Sequence, residues 1–181
     1  DSRRGETRYS YTPTGQLERA EYPDGRVQWR KSDQTGNLYP DPDMKLRRYL
    51  GGGRLEQDGE WHCEYDADGN LTERYLGTGR WLDGKKDRWR YRWNADGSLA
   101  KVVRPDKREV EFTYDALGRR LSKSFGTTVT RWVWNGNVPL HQWKQHREYS
   151  VMEDRWNTDT ERHDMTVWLF DEESFVPVAM L

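Results

Sequence analysis

Tyr114-Asp115-Ala116-Leu117-Gly118-Arg119-Arg120-Leu121 decides how this chain is read, because the same order of residue types returns on both sides of it. An aromatic residue is followed four positions later by a glycine, and a leucine stands two positions beyond the glycine. Tyr11/Gly15/Leu17, Tyr49/Gly53/Leu55, Tyr65/Gly69/Leu71 and Trp93/Gly97/Leu99 obey the rule. Tyr114/Gly118/Leu121 obeys it with one residue of slack, Ser32/Gly36/Leu38 lacks the aromatic, and Trp134-Asn135-Gly136-Asn137-Val138 is a shortened copy. The six intervals between Tyr11 and Trp134 average about 20 residues, and a period of that size indicates a repeat architecture.

The residues before each glycine read as strand. Aromatics stand two apart in Tyr9/Tyr11, Trp61/Cys63/Tyr65, Trp89/Tyr91/Trp93, Phe112/Tyr114 and Trp132/Trp134, which puts them on one face of an extended chain. Arg88, Arg90 and Arg92, and likewise Glu109, Glu111 and Thr113, take the other face. Asp66-Ala67-Asp68-Gly69, Asn94-Ala95-Asp96-Gly97 and Asp115-Ala116-Leu117-Gly118 begin with a side chain able to bond forward to its own backbone. They end in a residue that tolerates positive φ, so a type I turn closed by a glycine bulge is expected. Pro23-Asp24-Gly25 and Pro105-Asp106 supply a second reversal within some repeats. The expected fold is all-β, a succession of antiparallel hairpins forming a twisted, curved sheet.

Composition agrees with a folded but thin-cored β protein. Leu, Val and Phe together make up only 16% of the 181 residues and Ile is absent, whereas ten Trp and ten Tyr supply large apolar surface. The charges, 30 basic against 31 acidic, nearly cancel, which argues against a general polyanion-binding surface. One cysteine excludes an internal disulfide framework. No apolar run approaches the ~18 residues of a membrane helix.

Tyr91-Arg92-Trp93-Asn94-Ala95-Asp96-Gly97, Arg104-Pro105-Asp106 and the block Val110 to Lys123 together resemble the RHS (YD-repeat) family, named for the pair seen at Tyr65-Asp66 and Tyr114-Asp115. Val167 to Val178 is similar to the segment that precedes the family's core. Ser32 and Trp93 depart from the tyrosine position, and Thr12, Asn94 and Asn135 from the aspartate position. The resemblance implies a hollow shell that encloses a C-terminal toxin domain, or an unfolded chain, until delivery. It also implies secretion-machinery spike proteins of type VI secretion as partners, and bacterial competition as the setting. The protein would be cytoplasmic before delivery, then secreted or displayed at the cell surface as part of a larger bacterial protein. Because the pattern is already under way at Tyr9, the chain is expected to be a fragment of such a shell.

The motif residues expected to carry the fold are Tyr11, Gly15, Tyr65, Asp66, Gly69, Trp93, Gly97, Tyr114, Asp115 and Gly118. The sheet is expected over 1–138, a charged irregular excursion over 139–165, and terminal strands of the same sheet over 166–181.

Chemistry-bearing candidates have plainer readings. Gly51-Gly52-Gly53 lacks the lysine and helix of a phosphate cradle and reads as a hairpin turn. His62 beside Cys63, with dispersed His141, His146 and His163, does not give the paired ligands of a zinc site. Asp66-Ala67-Asp68-Gly69-Asn70 lacks the distal glutamate of a calcium loop. Cys63 sits between Trp61 and Tyr65 and reads as a small core residue rather than a nucleophile. Glu172-Glu173 alone does not define a glycosidase pair. The Arg88/Arg90/Arg92 row, which could suggest single-stranded nucleic acid, is expected to pair with acidic strands such as Glu109/Glu111.

No catalytic residues, cofactor or metal are expected, nor nucleic-acid binding. Two rival readings are an adhesive, carbohydrate-binding module using Trp81 or Trp143, and a hydrolase. Gly77–Asp87, around Trp81, is expected to be a polar loop insertion.

Overall fold

The computed structural model describes residues 5–77, 86–171 and 174–181, which form eighteen strands and one 3-10 turn. Trp81, Glu172 and Glu173, and most of the expected 77–87 insertion, lie outside these residues. Two compact units divide the chain, residues 1–86 and 87–181.

In the first unit β1 (Arg8–Tyr11), β2 (Leu17–Glu21) and β3 (Val27–Trp29) make a three-stranded antiparallel sheet, and β4 (Lys31–Ser32) pairs with β5 (Leu38–Tyr39). β6 (Arg47–Leu50), β7 (Arg54–Asp58), β8 (Trp61–Tyr65) and β9 (Leu71–Leu76) pair in chain order. Gly51–Gly53 is the 3-10 turn between β6 and β7. The second unit runs through β10 (Lys86–Trp93), β11 (Leu99–Val103), β12 (Glu109–Tyr114), β13 (Arg120–Phe125), β14 (Thr128–Asn135) and β15 (Val138–Ser150), again each beside the next. β16 (Arg155–Thr158) and β17 (His163–Phe170) both pair with β15, and β18 (Pro177–Met180) pairs with β17. Pro177, which cannot donate to a ladder, opens β18, the last strand in the pairing order.

The 139–165 stretch is a correction. It is not irregular: β15 is a 13-residue strand, the longest among the described residues, and Arg147–Ser150 turn back against Arg155–Thr158. Its period-two signal is hidden because Gln142, Lys144, His146 and Glu148 alternate with His141, Trp143, Gln145 and Arg147, so both faces are polar.

A second difference concerns the two faces of the second unit. Cross-strand partners in an antiparallel sheet point to the same side. The register therefore collects Arg90, Val103, Lys101, Glu111, Thr113, Ser122, Val129, Trp143 and Arg147 on one face. Tyr91, Val102, Val110, Phe112 and Phe125 share the other. Of the buried side chains among the described residues of this unit, five (Val103, Ser122, Val129, Trp143 and Arg147) lie on the polar face, and only Val102 lies on the aromatic one. The aromatics of β10, β12 and β14 are half-buried instead. Arginines lie over rings of this face: Arg108 4.1 Å from the ring centre of Phe125 on β13, Arg104 5.1 Å from Phe125 and Arg120 4.7 Å from Phe112. The flat guanidinium covers the ring while keeping its donors wet, an attraction of about 0.5–2 kcal/mol each.

Charge pairing also differs from expectation. β11 lies between β10 and β12, so Arg92 faces Lys101, and the cations paired with Glu109 and Glu111 are Lys101 and Arg147. Lys101 Nζ is 2.6 Å from Glu109 and 3.0 Å from Glu111.

Candidate functional site

Seven hairpin turns among the described residues share one geometry, which the 3-10 turn at Gly51–Gly53 and the shorter reversal at Gly136 do not adopt. In the turn that starts at Asp115, the Gly118 N–H donates to the Asp115 carbonyl (3.0 Å) and the Asp115 N–H donates to the Arg119 carbonyl (3.0 Å). The same two bonds recur in the turns that start at Thr12, Tyr22, Asp33, Asp66, Asn94 and Arg104. This is a type I turn closed by a residue in the left-handed region. Gly15, Gly69, Gly97 and Gly118 all occupy that closing position, with φ between 75° and 87°. The turn at Arg104 shows what the glycine relieves, since Lys107 is forced to φ 64° there.

Where an aspartate opens the turn, its carboxylate organises the loop. Asp115 Oδ1 accepts from the N–H groups of Leu117 and Arg119, both at 2.9 Å, and Oδ2 accepts from Arg119 Nε at 2.6 Å. Burial alone would raise the Asp115 carboxyl, but these donors hold it below the usual aspartate range. At Asp66 the backbone N–H of Asn70 (2.8 Å) is the chief cause of a similar lowering. Asp96 is lowered mainly by the Ser98 hydroxyl.

Directly before the turn stands the motif aromatic, and the pairing register slips there. Tyr114 faces Arg120 although Thr113 faces Ser122, so Leu121 is an extra, bulged residue. Equivalent slips fall at Tyr11, Tyr49, Tyr65, Trp93 and Trp134. The residue two beyond the glycine therefore faces the aromatic in the Tyr11, Tyr49, Tyr65, Trp93 and Tyr114 copies, whereas Trp134 faces Pro139, three beyond Gly136; this accounts for the one residue of slack in the Leu121 copy.

That facing residue also receives the next repeat. Tyr49 Oη donates to the Leu38 carbonyl (2.5 Å), Tyr65 Oη to Leu55 (2.8 Å), Tyr114 Oη to Leu99 (3.0 Å) and Trp134 Nε1 to Arg120 (2.8 Å). Leu38, Leu55, Leu99 and Arg120 each stand two residues after the glycine of the preceding repeat. Each aromatic thus latches its hairpin to the one before, and spacing alone could not reveal it because the acceptor is a main-chain atom. Arg119 adds a turn-to-turn tie, donating to the Gly136 carbonyl at 2.5 Å.

The reactive candidates stay scattered. Cys63 is half-buried and burial pushes its thiol up, the wrong direction for a nucleophile. His62 stacks on Tyr75 at 5.6 Å between ring centres. Among the described residues no three His, Cys, Asp or Glu side chains gather to hold a metal. Trp143 is buried, with Arg162 4.8 Å from its ring centre, so it presents no open platform to a sugar.

Comparison with known proteins gives consistent likenesses. The family described as "Teneurin YD-shell" matches residues 1–135. A double-stranded DNA deaminase toxin A of Burkholderia cenocepacia is 33% identical over 150 residues, covering 75% of this chain and 10% of the relative. A probable deoxyribonuclease RhsB of Dickeya dadantii is 30% identical over 87 residues, 47% of this chain and 6% of the relative. The chain thus spans a tenth or less of the length of these curated relatives. A chain in the crystal structure of TcdB2-TccC3 matches 85% of this chain and 10% of its own length, with TM-score 0.48 and 14% identity.

Proposed function

Because the chain belongs to the Teneurin YD-shell family, we propose that it is a section of shell wall in a larger RHS-type toxin, enclosing a C-terminal toxin domain and performing no chemistry of its own. The observation that carries this reading is the latch: four hairpins are each tied to the preceding repeat by the motif aromatic, which makes a stiff, extendable sheet rather than a pocket. The named activities of the relatives would then reside outside the tenth of their length that this chain matches. The ten motif residues act in this reading as scaffold, and 1–138, 139–165 and 166–181 are successive parts of one wall.

The partners are the rest of the shell, the enclosed domain and the spike of a type VI apparatus that delivers it from the producing cytoplasm into competing bacteria. The test is protease protection in the parent protein. The C-terminal domain should be protected in the wild type and cut rapidly when Tyr65, Tyr114 and Trp134 are all changed to alanine. Equal cleavage in both would overturn the reading.

A further inference from the structure

The structure assigns a second kind of site to the end of the sheet, where Arg108, Arg147 and Trp156 border one cavity: we propose that it binds a carboxylate side chain of an extended polypeptide. The cavity, about 220 Å³, is lined by Arg108, Glu109, Glu111, Gly126, Arg147 and Trp156.

Arg147 is only 7% exposed, so its charge is largely removed from water. Its Nε donates to the Gly126 carbonyl at 2.8 Å, and its guanidinium sits 4.3 Å from the Trp156 ring centre. Its one carboxylate contact is Glu111 at 3.4 Å, and Glu111 is also bound by Lys101 at 3.0 Å. Arg147 therefore shares its carboxylate partner with a second cation. Arg108 sits 4.1 Å from the Phe125 ring centre and has no ion pair among the described residues, leaving its guanidinium donors available to an anion. Lys101, Arg108 and Arg147 set against Glu109 and Glu111 leave one positive charge in excess.

Since Lys101 already spans both glutamates, an incoming cation finds no free acceptor pair, whereas an anion finds two guanidiniums. A planar carboxylate matches a guanidinium fork with two parallel hydrogen bonds. The half-open Trp156, held edge-on by Tyr149 at 5.5 Å, gives the aliphatic stem of such a side chain an apolar wall. The small volume admits one side chain rather than a folded surface. The site requires only the 181-residue chain and is independent of whether the wall encloses anything.

The experiment follows the Trp156 indole N–H signal of the full chain by NMR during titration with a soluble peptide alternating Glu and Ser, its Gln counterpart, and inorganic phosphate. A saturable shift with the Glu peptide is expected, absent with the Gln peptide and weaker with phosphate. Arg108→Gln, at an exposed position, should weaken the Glu-peptide response about tenfold while the rest of the spectrum is retained. Equal response to Gln peptide or to phosphate, or an unchanged affinity in Arg108→Gln, would overturn the assignment.

Discussion

The two faces of the second unit invert the usual relation between residue type and burial. The face that carries Tyr91, Phe112 and Phe125 is half-buried and roofed by arginines, whereas the face that carries Lys101, Glu111, Ser122 and Arg147 holds the deepest side chains. An aromatic ring can lie flat along a sheet and shed water from one side without a second layer. A polar side chain instead stands among its neighbours and is buried by them once its hydrogen bonds are met within the face, as Thr113 and Ser122 meet each other at 2.7 Å. A chain poor in aliphatics can in this way hold a sheet together with aromatic contacts on one side and cross-strand polar pairs on the other.

The strongest way to break this comparison is Trp143→Ala on the polar face, expected to cost about 3–5 kcal/mol, against about 2 kcal/mol for Phe112→Ala on the aromatic face. Urea unfolding of both variants measures the order, and a larger loss at Phe112 would reverse the assignment of the core. Next comes Gly118→Ala, which should lose about 1–2 kcal/mol because φ is +75° with open space around the site, so the cost is conformational and not steric. Its counterpart Lys107→Gly should gain about 1 kcal/mol by relieving φ 64°, read as a raised melting temperature. Tyr114→Phe removes the latch hydroxyl alone and should cost about 1 kcal/mol.

The sequence shows the turns plainly, since Asp115 and Gly118 have local reasons to be what they are, and the bulge opposite each motif aromatic follows from the same motif. β15 was illegible because its polar residues occupy both faces, and binary patterning is silent when neither face is apolar. The latch was illegible for a different reason. Tyr114 stands fifteen residues from its acceptor, and only the register shows that the Leu99 carbonyl lies within reach. The aromatic period likewise points to the core without revealing that arginines would be its cover.

Acid provides the mildest perturbation, acting on turns and leaving the aromatic face untouched. The carboxyls of Asp66, Asp96 and Asp115 are lowered in the folded chain. Their contribution is therefore complete above the ordinary aspartate value of about 3.9 and is lost as pH falls through the lowered folded values. Urea midpoints should be level from pH 7 to 5 and decline below about 4. Asp115→Asn should flatten part of that decline, and an unchanged slope would place the acid sensitivity elsewhere.

Native-state hydrogen exchange tests the repeated latch most directly. The opening amide of each turn, at Asp66, Asn94 and Asp115, should exchange slowly and with similar protection, since each donates within the same closed geometry. Tyr114→Phe should speed exchange at Asp115 and leave Asp66 unchanged. Exchange at these amides as fast as in an open loop, or an equal response of both turns to the Tyr114 change, would contradict an assembly of hairpins locked one to the next.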